Sequence, residues 1–172
     1  MRKTEKANLY RKLVSLILMI GGGAGFIVAA MAWIAGLTHR AAAPIWTVAL
    51  MGLFVLVFGL TMWTGVELWR KKPRALIWAQ ILLIAQVPNL SVAGFVYQFY
   101  TAFPLYLSWS QRPDVVIGFE FHLGSNLTFQ FGSETDGFIL GVNLVAIGAL
   151  YLLEKARASL EPNAAAAVAS PS

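Results

Sequence analysis

From residue 13 to residue 37 the chain runs 25 residues without a charge. As a helix that run would be ~37 Å long, enough to cross a ~30 Å hydrocarbon core with some tilt. Three more long apolar runs follow, at 45–69, 75–103 and 137–153. Charged residues are 12% of the chain and hydrophobic residues 58%, which leaves little from which to build a water-facing surface. The pattern predicts an all-α membrane protein, with four transmembrane helices and a short extracytoplasmic β-hairpin between helices 3 and 4. One domain is expected over 1–159. The Pro/Ala/Ser tail at 160–172 has nothing to bury and is expected to be disordered. A cleavable signal peptide ending near Ala30-Met31-Ala32 is the competing reading of the first run. The length and glycine content of that run oppose it.

Orientation follows from where the cations fall. Arg2, Lys3, Lys6, Arg11 and Lys12 precede the first run, Arg70, Lys71, Lys72 and Arg74 follow the second, and Lys155 and Arg157 close the last. Arg40 and Arg112 alone lie on the other side. Eleven against two predicts both termini in the cytoplasm of a bacterial-type inner membrane. Net charge is +5, but its clustering at the ends of apolar runs marks membrane topology, not a nucleic-acid footprint. The chain has no cysteine, which excludes disulfides, thiolate nucleophiles and Cys-type metal sites.

The stretch 115–132 does not read as helix. Ile117, Phe119, Phe121 and Leu123 alternate with Gly118, Glu120 and His122; Leu127, Phe129 and Phe131 alternate with Thr128 and Gln130. Period two on both sides of Gly124-Ser125-Asn126 predicts a hairpin turning there, with Phe121 opposite Phe129 and Phe119 opposite Phe131. Residues 105–114 read as an aromatic-rich lead-in to it. A lone hairpin is marginal in water, so its Phe face must rest on its own bundle, the bilayer or another protein. Phe119, Phe121, Phe129 and Phe131 are therefore the candidate partner contacts.

Inside the runs, polar residues are few and neutral. Pro88 interrupts the third run and is expected to kink or break a helix there. Gln86, Asn89 and Asn143 are the candidates for a polar pocket beside the break, or for amides that only bridge helices. Gly21 and Gly25, and Gly52 and Gly59, permit close helix packing. Ser133 with Asp136 three residues on has the form of an N-cap for the fourth helix.

Three functions are open to such a chain. The first is a non-catalytic interaction or assembly component that uses the outer hairpin, with the lipid bilayer, a protein partner or a second copy as its neighbour. The second is a small channel or carrier for a neutral or lipidic solute. The third is an outer-face enzyme built on Glu120 and His122, which share one face of a strand at i, i+2. No nucleophile, metal or phosphate-loop motif supports the third, and no cofactor or nucleic acid is expected. No charged side chain sits at the middle of a run, which argues against an ion-coupled transporter.

Overall fold

The computed structural model describes residues 3–38, 45–92, 94–112, 114–131 and 137–158. Four helices and six strands follow one another as α1 (Lys3–Thr38), α2 (Ile45–Trp69), α3 (Pro73–Ala85), β1 (Pro88–Val92), β2 (Phe95–Tyr100), β3 (Leu105–Arg112), β4 (Asp114–Phe121), β5 (Asn126–Phe131), β6 (Phe138–Asn143) and α4 (Leu144–Ala158). Among the described residues, only α1 and α2 are helices long and apolar enough to cross a membrane. The expected all-α protein with four transmembrane helices is thus wrong: the third run divides into a short helix and two strands, the fourth into a strand and a short helix.

The α1–α2 pair is built on missing side chains. A Cβ at Gly22 would lie 2.5 Å from the backbone nitrogen of Met62, and one at Gly65 would lie 2.8 Å from that of Met19. Gly25 makes room for the Phe58 ring. With no side chains at these positions the two helix backbones come into direct contact. The buried Ser15 hydroxyl donates to the carbonyl of Gly65 at 2.5 Å and ties the pair further. At one end of this pair α3 and α4 pack on it through Val14, Leu18, Leu68, Ala75, Ala79, Leu83, Ala149 and Leu153. Gln80 of α3 donates to Glu154 of α4.

The third run (75–103) leaves the helix at Gln86, whose N–H still donates to the last helical carbonyls, those of Leu82 and Leu83. Pro88, two residues on, has no N–H to continue the ladder. Beyond it the sequence favours strand: Val92, Phe95, Val96, Tyr97, Phe99 and Tyr100 are β-branched or aromatic. The fourth run (137–153) begins as β6 and turns helical at Leu144. The Asn143 side-chain oxygen accepts from the N–H groups of Val145 at 3.1 Å and Ala146 at 3.3 Å, so it is the N-cap of α4. The expected cap at Ser133 and Asp136, the loop with His39 and Arg40, and the tail at 160–172 lie outside the described residues.

The six strands form one antiparallel sheet in the order β4-β3-β6-β1-β2-β5. The expected hairpin over 115–132 does not exist as such. β4 pairs with β3, so Phe121 opposes Leu105 and Phe119 opposes Leu107. β5 pairs with β2 at the far side of the sheet, so Phe129 opposes Tyr97 and Phe131 opposes Phe95. The two pairings are halves of one longer hairpin. Its register does not slip at the bend, where the N–H of His122 donates to Pro104 and the N–H of Gly124 to Ala102. Ala102 (φ 66°) and Gly124 (φ 116°) take left-handed backbone on the two facing strands, which turns both together. Residues 95–112 thus run against 114–131 throughout, out to the pair Arg112 and Asp114, and β1 and β6 fill the space between the arms.

Candidate functional site

The register of the sheet sorts its residues into rows, and the rows alternate in chemistry. Ile117, Trp109, Leu140, Leu90, Tyr97 and Phe129 stand opposite one another across all six strands. The adjacent row is Gly118, Ser108, Gly141, Asn89, Gln98 and Thr128. Directly opposed residues share a face, so along these rows one face of the sheet is apolar and the other polar, with Val116, Ile139 and Val96 joining the polar face toward one end.

On the polar face the two arms come into contact at the bend. Tyr100 of β2 and Tyr106 of β3 lie on it in different arms, yet their rings meet edge-on at 6.0 Å across the bend. His122 stacks on Tyr100 at 5.7 Å and meets Tyr106 at 6.2 Å. Tyr106, Ser108, Asn89, Ser91 and Asn143 on this face are all buried. Its polar groups bond mainly to each other: Asn126 donates to Gln98 at 3.0 Å, and Ser108 donates to Glu120 at 3.0 Å. Glu120 and His122 stand 3.6 Å apart, each with its side chain about half exposed or less.

The apolar face has two parts. On the β2–β5 arm it is covered by helices, with Phe99 and Leu127 buried against Ala29 of α1 and Phe58 of α2. Phe58 and Phe99 meet edge-on at 6.0 Å. On the β4–β3 arm none of the described residues covers it. Ile117 is 72% exposed, Phe119 70% and Phe121 60%, with Leu107, Trp109 and Leu140 beside them.

Of the candidate partner contacts, then, Phe119 and Phe121 stand together on the open arm, while Phe129 and Phe131 belong to the opposite arm. The three amides also separate in role. Asn143 caps α4, and its N–H donates to Val87 at 2.8 Å. Asn89 packs over Gly141, where a Cβ would lie 3.1 Å from its own. Gln86 reaches from the end of α3 to the bend, where its carbonyl oxygen accepts from the Thr101 hydroxyl at 2.8 Å and the Thr101 N–H at 3.2 Å. Its amide nitrogen is buried without a partner, as is the Tyr106 hydroxyl.

Reading 105–114 as a lead-in hid Tyr106 and Ser108. The signal was present in the alternation of Leu105, Leu107 and Trp109 with Tyr106, Ser108 and Ser110. Thr101 carried no local signal, because its role depends on the bend. Elsewhere, a recess of about 330 Å³ between α2 and α3 is lined by Trp63, Trp78, Leu60, Glu67 and Arg74. Among the described residues, no three or more His, Cys, Asp or Glu gather to hold a metal ion.

No known protein family, curated protein or solved structure matches this chain.

Proposed function

We propose that this chain is a non-catalytic integral component of a bacterial-type inner membrane, with both termini in the cytoplasm, whose interaction surface is the apolar face of β4 and β3. The observation that carries the reading is the continuous patch of Ile117, Phe119, Phe121, Leu107 and Trp109, left open by the other described residues. Contiguous apolar patches of this kind mark interaction surfaces, whereas scattered exposed apolar residues are ordinary. The sorting of Lys and Arg supports the orientation: Lys71 and Lys72 end α2 on the same side as the N-terminus, and Lys155 and Arg157 in the last turn of α4 return to it.

Two experiments test this. In intact cells, an impermeant maleimide should label Thr38→Cys and leave Lys71→Cys unmodified; the reverse pattern would invert the topology. Phe119→Ser combined with Phe121→Ser should lower the membrane-integrated yield and alter native migration in mild detergent. Glu120→Ala combined with His122→Ala should leave both nearly unchanged. Wild-type behaviour of the double Phe variant would remove the patch as the interaction surface.

A second reading, a carrier or binder of a small neutral or lipidic solute, is favoured by one observation. The Gln86 amide nitrogen and the Tyr106 hydroxyl are buried with no partner, and native interiors rarely leave such groups unmatched. Asn89 and Asn143 add less to this reading, because their contacts hold the fold. Saturable uptake of a neutral solute into vesicles, lost in Gln86→Leu, would favour it over the first.

A further inference from the structure

We infer that the sheet does not stand in water above the membrane but lies within the outer half of the bilayer, with the open face of β4 and β3 against lipid acyl chains. The inference rests on the proposed membrane anchoring by α1 and α2 and names what covers the patch.

The depth of the sheet is fixed by what it touches on α1. Ser125, in the bend, donates its hydroxyl to the carbonyl of Gly21 at 2.6 Å. The bend backbone is so close that a Cβ at Gly21 would lie 2.5 Å from the nitrogen of Ala102. Farther along α1, Ala29 packs with Phe99 and Leu127. Counted from Leu13, where the uncharged run begins, Gly21 lies ~12 Å along the helix and Ala29 ~24 Å. Both contacts fall inside the stretch that has to cross a ~30 Å hydrocarbon core. Were the sheet in water, α1 beyond Gly21 would be in water with it. Only the ~12 Å from Leu13 to Gly21 would then remain to span that core, less than half of what is needed.

The chemistry of the faces agrees with that depth. A sheet in water turns its apolar rows inward and its polar rows out. This one does the opposite on its open arm, as strands facing lipid around a polar interior do. The exposed apolar surface also continues from the sheet onto the helices at the same level, through Ile27, Val28 and Met31 of α1 and Leu53 and Leu56 of α2. The ionisable pair nearest the bend, Glu120 and His122, lies on the polar face, side by side, with Glu120 accepting from Ser108, where intramembrane charges are expected to be. Each of the third and fourth runs then crosses as half helix and half strand. α3 with β1 covers ~20 Å plus ~17 Å, and α4 with β6 covers ~22 Å plus ~20 Å.

Because the chain has no cysteine, single cysteines can be placed without background. The full chain, reconstituted in phosphatidylcholine vesicles, would carry a nitroxide at Ile117→Cys, Phe119→Cys or Leu123→Cys, with Leu56→Cys on α2 as the membrane reference. Collision with molecular oxygen and with a neutral water-soluble nickel chelate reports depth. At Ile117 and Phe119 oxygen should exceed nickel several-fold, as at Leu56. Nickel access at these sites with Leu56 still protected would overturn the intramembrane sheet and leave the anchoring intact. Protection from both probes would mean that a protein, not lipid, covers the face, and would equally overturn it. Nickel access at Leu56 as well would sink the anchoring itself. If one label perturbs the sheet, the other two sites test the same face.

Discussion

The hydroxyl of Ser125 reaches the carbonyl of Gly21 across 104 residues of sequence and joins the bend of the sheet to the middle of α1 at 2.6 Å. It is a side chain bonding to a carbonyl already engaged in a helix, at a point where the helix has no side chain of its own. Both features are needed: a hydroxyl short enough to fit and a glycine that lets the two backbones approach.

Gly21→Val is therefore expected to destabilise strongly. Its Cβ would meet the backbone of Ala102 and Thr101 at 2.5–2.8 Å, and backbone cannot rotate away as a side chain can. Overpacking of this kind costs ~1–3 kcal/mol or more. Gly148 is the contrast, because nothing lies within 4 Å of a Cβ built there. Gly148→Ala in α4 should be neutral or stabilise by up to about 1 kcal/mol through helix propensity. Thermal unfolding of both variants in one detergent checks the difference.

Ser125→Ala should lose about 1 kcal/mol, since it removes the bond to Gly21 and the contact from the Ala102 N–H to the same hydroxyl at 3.3 Å. Ser125→Thr keeps the hydroxyl and should recover part of the loss. Equal stability of Ser125→Ala and wild type would mean that packing alone holds the bend on the helix.

Asn143→Ala should cost roughly 0.5–2 kcal/mol, because two N–H groups at the start of α4 lose their acceptor. Asn143→Asp retains an acceptor and should fall between the two. Hydrogen exchange is the sharper readout: protection should fall at Val145 and Ala146 before it falls elsewhere in α4.

Thr101→Val should separate the two ends of the Gln86 contact. The hydroxyl bond is lost while the backbone N–H of residue 101 keeps its acceptor. A loss of about 1 kcal/mol is expected, against a larger loss for Gln86→Leu, which removes both.

The sequence made α1 and α2 legible because their runs are long, uncharged and free of proline, and length alone separates such runs from strands. The third and fourth runs failed for a reason internal to the same test. Hydropathy over a window sums apolar residues and is blind to period, so an apolar helix followed by an apolar strand reads as one span. The break was marked by Pro88 and by Asn143, each of which also has an ordinary place inside a membrane helix. Within 115–132 the alternation of Ile117, Phe119 and Phe121 did report strand. The partner was misassigned because Gly124-Ser125-Asn126 looks like a turn. Its glycine does take a positive φ, but in company with Ala102 on the facing strand, so the chain bends without reversing. That second residue lies 22 positions away and has no composition to announce it. The site divides similarly. Phe119 and Phe121 were visible from alternation, whereas the burial of Tyr106 and the role of Thr101 follow only from the curl of the sheet.

Pairing of residues 95–112 with 114–131 in one register is the claim on which the polar interior and the open apolar face both depend. Double-cysteine variants test it directly in the cysteine-free chain. Leu107→Cys with Phe119→Cys, directly opposed on neighbouring strands and both exposed, should form a disulfide rapidly under mild oxidation in membranes. Phe119→Cys with Phe131→Cys, the pair that a hairpin turning at Ser125 would bring together, should not. Rapid crosslinking of 119 to 131 with none between 107 and 119 would contradict the bent hairpin and the two faces derived from it.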